Sequence, residues 1–271
     1  MSNYIYENHI HKDPKFPIIF HCDHLNSNRP SFLMHYHDSI EILYFLDGIG
    51  KIYCNNKIIQ ASTNDIVIIN SNELHSIETI NEYCKYYCLI IDKSILDKDI
   101  FPESSIFNNL ITDNFIKTKF ISIDNEFKNN NMFFKELIKS EVIQILIHLH
   151  RNYIQKENIN VPTKNSNKID MIKEIILFIK ENFNTPISID DICTHVSFSK
   201  YYVCRTFKEI TGSTILDYIN YIRCYNAKNL MLYKGYNISE SAYKSGFNNL
   251  SYFSKTYKKH MGILPSKDNI T

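Results

Sequence analysis

"YYVCRTFKEITG" occupies positions 201–212 and "YFSKTYKKHMG" occupies positions 252–262. Tyr202, Arg205, Phe207, Lys208 and Gly212 of the first stretch match Tyr252, Lys255, Tyr257, Lys258 and Gly262 of the second, each pair fifty positions apart. In both copies a short helical pattern precedes the phrase: "SIDDICTHV" with Ser188 as N-cap and acidic Asp191 in its first turn, and "SESAYKSG". Ser199 is a cap candidate for the second helix of the first copy, and Gly212 is a natural left-handed residue to close it. Ile189, Ile192 and Phe198 face inward in the first copy, and Ile238, Ala242 and Phe247 in the second. Phe198 and Phe247 lie 49 apart while Phe207 and Tyr257 lie 50 apart, so the second turn is one residue longer. A short helix, a turn and a second helix closed by glycine is the helix-turn-helix pattern, whose second helix lies in a DNA major groove.

Around this repeat the chain reads as helices. "STILDYINYIRCYNAKNLMLYKG" (213–235) is one long helix of about twenty residues, roughly 30 Å at 1.5 Å per residue. Successive major grooves on one face of DNA are about 34 Å apart, so such a rod sets two reading helices into neighbouring grooves. "KIDMIKEIILFIKENF" (168–183) is an amphipathic helix, and "NINVPTKNSNK" (158–168) is polar, aperiodic and reads as a linker. Lys200, Arg205 and Lys208 fall on the outward side of one second helix, and Lys255, Lys258 and Lys259 on the other. Residues 168–271 carry 14 Lys and Arg against 9 Asp and Glu, whereas residues 1–167 carry 16 against 20. A basic C-terminal part inside a chain of net charge +1 suits a polyanionic partner.

The motifs "RTFKEITG", Arg223, Ala227 and Leu230, "SGF" (245–247), "SYFSK" (251–255) and "G.LPS" (262–266) resemble the DNA-binding domain of AraC-type transcriptional regulators. The resemblance covers Ile169 to Ser266; "ISESAY" departs from a more apolar segment, and Tyr257 stands where phenylalanine is usual. It implies base-reading positions at Tyr201, Cys204 and Arg205 in the first recognition helix and at Leu250, Ser251, Ser254 and Lys255 in the second, with Asn249 also among the DNA-binding residues. Arg205 suits a bidentate contact to guanine. Lys200, Lys208, Lys258 and Lys259 suit phosphates, which position and do not specify. Phe198, Phe207, Phe247, Phe253 and Arg223 are expected to be structural. Double-stranded DNA, RNA polymerase and a second copy of the chain are the implied macromolecular partners.

The N-terminal half has a different texture. "IEILYFLDG", "GKIYCNNKII", "NDIVIINSNELH" and "KYYCLIID" are apolar, β-branched and aromatic runs of strand length, separated by Asp-Gly, Asn-Asn and Asn-Asp. "CNNK" is a tight hairpin, and short strands at this spacing make a barrel or sandwich. "MFFKELIKSEVIQILIHLHRNYI" (132–154) is a helix with a wide apolar stripe. His148 and His150 lie two apart on it and do not face one another, so they make no metal site.

"HYHDSIEILYFLDG" contains His35-x-His37-x3-Glu41, and His75 ends "NSNELH". Alternation places His35 and His37 on one strand face. Three imidazoles and a carboxylate suit a divalent ion such as Zn, Fe or Mn. The pattern resembles the cupin β-barrel and the sensor domains of AraC-type regulators, with Asn64-Asp65 and Asn72-Glu73 as departures. Three readings follow. One is a metal-dependent cupin enzyme with an accessory DNA-binding domain. Another is a metal-free barrel that holds a small-molecule effector at His35, His37, Glu41, Tyr44 and His75. In the third, these groups satisfy one another and bind nothing. Fusion to a DNA-reading domain favours effector sensing, since a switch needs an input. In the resembled family the long helix makes a dimer contact; its alternative role is packing on the barrel.

The expected architecture is α+β with two domains. A cupin-like β-barrel with a helical segment spans 1–157, a linker spans 158–167, and an all-α double helix-turn-helix domain spans 168–271. No phosphate loop, nucleophile elbow or Cys/His dyad is present, so no catalytic residues, metal or cofactor are assigned. Seven cysteines without a CxxC pair, no signal peptide and no membrane-length apolar run fit a cytoplasmic protein with free thiols.

Overall fold

The computed structural model describes residues 16–26, 34–55, 57–95, 105–155 and 164–268. The chain divides into two compact units, Met1–Val161 and Pro162–Thr271.

The first unit is an antiparallel sheet with two helices. Its strands are β1 (Ile18–Asn26), β2 (Ile40–Cys54), β3 (Lys57–Ser62), β4 (Ile66–Ile69), β5 (His75–Ile91) and β6 (Leu110–Ile111). They lie in the order β1-β5-β2-β4-β6, with β3 paired to β2. β2 and β5 run together from Ile40 opposite Ile91 to Cys54 opposite His75. Alternate residues feed two separate cores. Ile42, Tyr44, Ile66, Ile68 and Leu89 pack with the helices α1 (Asn114–Asn129) and α2 (Phe134–Asn152). Leu43, Phe45, Val67, Ile69, Cys88 and Ile90 form the other core. Burial on both faces is why β4 reads as an unbroken apolar run, "IVII".

Asp47-Gly48 does not end a strand, contrary to expectation. β2 continues through it with register shifts between Phe45 and Asp47 and between Gly48 and Gly50. Gly48 has φ 77°, and a Cβ there would lie 2.2 Å from the Tyr83 carbonyl oxygen. This is a bulge pressed against the neighbouring strand, where only glycine fits. The expected hairpin does form at Cys54 opposite Lys57, with Asn55 left-handed at φ 51°.

α1 was not expected. Asp113 caps it by accepting from the Ile116 N–H, and it buries Ile116, Phe120 and Ile123 at helical spacing. α2 buries Ile138, Val142, Ile145, Leu146 and Leu149 in the same core as α1 and the sheet. The stripe expected to pair two chains is therefore used inside its own domain.

The second unit is helical: α3 (Lys164–Asn182), α4 (Ile189–Val196), α5 (Lys200–Thr211), α6 (Ile215–Lys234), α7 (Ile238–Lys244) and α8 (Leu250–Met261). α3 starts at Lys164, so the last part of the expected linker is helical; 158–163 lie outside the described residues. α4 and α7 open with the same device. Ser188 and Asp191 form one capping box, and Asn237 and Glu240 form the other. α6 is the expected twenty-residue spacer, closed by left-handed Gly235. Arg223 on α6 is structural as expected, donating to the carbonyls of Phe183 at 2.7 Å and Thr185 at 2.9 Å. Among the described residues no helix is long and apolar enough to cross a membrane.

Candidate functional site

α5 and α8 are twelve residues each and end at left-handed Gly212 and Gly262. From Tyr201 to Thr211 and from Ser251 to Met261 the two helices have the same order of buried, half-buried and exposed positions. Val203, Thr206 and Phe207 are buried in one; Phe253, Thr256 and Tyr257 are buried in the other. The Tyr257 hydroxyl, the departure noted above, donates to Asp268 at 2.6 Å and so keeps a partner. The outward rows are Tyr201, Arg205 and Lys208 on α5, and Ser251, Lys255 and Lys258 on α8, all exposed, with half-buried Cys204 and Ser254 beside them.

Three of the singled-out side chains also have partners or settings of their own within the domain. Leu250 is half-buried and packs against the α6–α8 core. The Asn249 side chain caps α8, accepting from the Tyr252 N–H at 2.8 Å. Phe198, expected to be structural, is 46% exposed and leans on Tyr202, whereas Phe247 is 2% exposed.

Several of the basic side chains already hold partners. Arg205 Nε donates to Glu209 at 2.6 Å, Lys200 pairs with Asp190 at 2.9 Å and Lys259 with Asp217 at 2.6 Å. Such exposed pairs are weak and screened, and a phosphate or base edge replaces them readily. Glu209 was not singled out from the sequence, although its i,i+4 spacing from Arg205 is visible there.

In the first unit the structure brings His35, His37, Glu41 and His75 together. All four are buried, and one ligand atom from each lies within 4.8 Å of the others. His35 and His75 exchange backbone hydrogen bonds of 2.9 and 2.7 Å, which sets their rings side by side at 4.1 Å. His37 Nδ1 meets the Ser39 carbonyl at 3.1 Å, and its Nε2 meets Glu41 Oε2 at 3.0 Å. His75 Nδ1 meets the Glu73 carbonyl at 2.8 Å, and its Nε2 lies 3.3 Å from the same Glu41 oxygen without hydrogen-bond alignment. The Glu73 carboxylate accepts from Asn70, Asn109 and Cys54, which holds the loop carrying His75. Burial alone would raise the Glu41 pKa, but His37 and His75 overcome it and hold the carboxyl well below its usual range. Burial depresses His75 in turn, and Glu41 more than offsets it, so His75 is raised.

Tyr44 does not belong to this cluster. It is three residues from Glu41, hence on the opposite strand face, where it packs edge-on to Phe120 at 5.7 Å. The sequence reading missed Cys88, whose thiol donates to Glu41 Oε1 at 3.5 Å. Two open clefts, of about 380 and 440 Å³, lie elsewhere: beside Arg223 and Gly246, and beside Phe133 and Leu137.

A buried polar cluster in a β-domain, joined to paired helix-turn-helix units, defines a ligand-binding transcription regulator. A family model described as an AraC-like ligand binding domain matches residues 20–114, and one described as a helix-turn-helix domain matches residues 192–268. The chain belongs to the AraC family of transcriptional regulators. An uncharacterized HTH-type transcriptional regulator of Bacillus subtilis, YdeC, is 22% identical over 98% of this chain and 97% of its own length. The transcriptional regulatory protein HptR of Staphylococcus aureus is 34% identical over 97 residues, 35% of this chain and 37% of HptR. Among solved structures, an apo form of ToxT from Vibrio cholerae covers 93% of this chain and 96% of its own, with a TM-score of 0.54 at 16% identity, a likeness of fold.

Proposed function

We propose that α5 and α8 read two neighbouring major grooves of one DNA site, and that a ligand held at His35, His37, Glu41 and His75 changes the affinity for that site. Arg205 and Lys255 face base edges; Tyr201, Cys204, Ser251 and Ser254 flank them; Lys200, Lys208 and Lys258 hold phosphates. The chain acts by binding and not by catalysis, in the cytoplasm, as a homodimer that meets RNA polymerase at its promoters. The observation that carries this reading is the matched burial of α5 and α8, which turns equivalent polar and basic rows outward fifty residues apart. Selection of DNA from a random pool by the full chain tests it. The expected product is two short motifs about one helical turn, or roughly 10 base pairs, apart. A single motif, or no enrichment, sinks the two-groove reading.

A further inference from the structure

We propose that Glu209 is a specificity-determining residue. It opposes the grip of Arg205 on a phosphate and spares its grip on a guanine edge, so that the first helix-turn-helix unit holds DNA selectively while the second supplies most of the sequence-independent grip. The inference rests on the reading that α5 presents Arg205 to DNA.

The two units match in burial but not in charge. The first, 188–212, sets Lys200, Arg205 and Lys208 against Asp190, Asp191 and Glu209, a net charge of zero. The second, 237–262, sets Lys244, Lys255, Lys258 and Lys259 against Glu240, a net charge of +3. One matched pair of exposed positions changes sign outright: Glu209 on α5 stands where α8 has Lys259, fifty residues on. The ion pairs follow the charges. In the first unit Asp190 holds Lys200 at 2.9 Å and Glu209 holds Arg205 at 2.6 Å, so the unit supplies its own counterions. In the second, Lys255 and Lys258 make no ion pair among the described residues, and the partner of Lys259 is Asp217 of α6, outside the unit.

An exposed ion pair is weak in itself. What matters is the carboxylate left behind when the pair opens. A phosphate that takes the Arg205 guanidinium brings a negative charge beside the displaced Glu209, one helical turn away, and the two like charges repel. Guanine O6 and N7 are neutral acceptors, so a base edge that takes the same guanidinium adds no like charge. Glu209 therefore works against one class of contact and leaves the other alone, which is specificity obtained by repulsion. α8 contains no acidic residue, so Lys255 has no such neighbour on its own helix. Sequence-independent affinity comes from cations that neutralise phosphates, and the unit with the net charge of +3 offers most of them.

The test uses the full chain and two duplexes, one with a site enriched from the random pool and one of scrambled sequence. On scrambled DNA the wild type is expected to lose affinity with a log–log salt slope of about −3 per chain, as for roughly three phosphates. That measurement needs no variant and stands even if a substitution fails to fold. A slope of about −5, as for the outward cations of both helices together, means that the two units grip the backbone alike and overturns the proposal. Glu209→Gln is expected to bind scrambled DNA about three- to fivefold more tightly, the size of one like-charge contact in water, and to steepen the slope by about one unit. On the enriched site its affinity is expected to change less than about twofold, so the ratio of specific to non-specific binding falls. Equal gains on both duplexes make Glu209 a general repulsive charge and overturn the proposal, as does unchanged binding to both. A single enriched motif together with the expected fall in ratio defeats the two-groove reading and upholds the role of Glu209. Two enriched motifs with an unchanged ratio uphold that reading and defeat the role of Glu209.

Discussion

Arg205 sits in a small contest on the surface of α5. Its Nε is held by Glu209 at 2.6 Å, while a guanidinium nitrogen reaches the Tyr201 hydroxyl at 3.5 Å. Glu209 lies below its usual pKa range because it bonds Arg205, and Arg205 is raised mainly by the same bond. On the proposed reading, a base edge with two acceptors replaces the carboxylate when DNA binds. Arg205→Ala is therefore expected to weaken specific DNA about 5- to 150-fold and to relax preference at one base pair. Lys258, which makes no ion pair among the described residues, is expected to act otherwise: Lys258→Ala weakens all sequences alike and flattens the salt slope by about one unit. Binding to a panel of single-base operator variants at several salt concentrations distinguishes the two. Gly246 marks the other kind of residue. Its φ is +87°, and a Cβ there would lie 2.6 Å from the Phe183 carbonyl oxygen and 3.0 Å from Arg223 Nε. Gly246→Ala is expected to cost about 1–3 kcal/mol from backbone strain, and more from displacing Arg223. Denaturant unfolding of the pair measures it, and a cost below about 0.5 kcal/mol would contradict the packing.

At the scale of elements, Asp113 ties the two N-terminal helices together. It caps α1, accepts from His148 Nε2 at 2.8 Å and accepts from the Tyr153 hydroxyl at 2.8 Å. Burial would raise its pKa, but the Ile116 N–H, His148 and Tyr153 overcome burial and lower it. A carboxylate with a depressed folded pKa contributes stability that is present above its unfolded value, about 3.9, and is lost as pH falls through the folded value. Asp113→Asn is expected to destabilise the domain by about 1–3 kcal/mol at neutral pH, as for hydrogen bonds to a charged group. In paired thermal melts the gap should close as pH falls below the unfolded value and through the depressed folded one. A gap constant with pH would mean that the charge does not matter. The same residue shows where the sequence was readable. α4 to α8 were legible because caps, closing glycines and apolar spacing agree there and the unit is written twice. α1 was not, although Asp113 precedes Ile116, Phe120 and Ile123, because its isoleucines and phenylalanines also suit strands. Asp47-Gly48 misled because the same dipeptide serves a turn and a bulge, and only the approach of Tyr83 decides. At the site, the motif of His35, His37, Glu41 and His75 was visible, but not for the reason of alternation: His35 meets His75 in an isolated bridge and His37 lies before β2, outside any strand, whereas Tyr44 on β2 faces away from Glu41 by parity. Cys88 comes from a strand 47 residues away, and no local spacing announces it.

For the whole molecule, the proposed homodimer needs a surface to join two chains. The α2 stripe is buried against its own sheet, so the candidate surface is what the α1–α2 hairpin leaves outside. Ile121 is 51% exposed, Met132 84%, Phe133 66% and Leu137 45%. Phe133 also sits in the left-handed region at φ 65°, a conformation that costs a bulky residue energy and holds its ring outward. An exposed apolar set of this kind is characteristic of an interaction surface. The fragment 1–161 is expected to dimerise through it, and 162–271, which includes all of α3, is expected to fold alone and bind DNA as a monomer. A fragment starting at 168 removes the first turn of α3 and is expected to be less stable. Pairing makes the second DNA contact intramolecular, so a full-length dimer should bind a duplicated site about 10²- to 10⁴-fold more tightly than a single site. Phe133→Asp with Leu137→Asp should abolish both dimer and avidity while leaving the unfolding temperature nearly unchanged, because neither side chain is buried. Sedimentation of wild type and variant at tens of micromolar, an order-of-magnitude concentration for pairs of modest affinity, decides it. A monomeric 1–161, or a variant that still dimerises, would move the contact away from the hairpin.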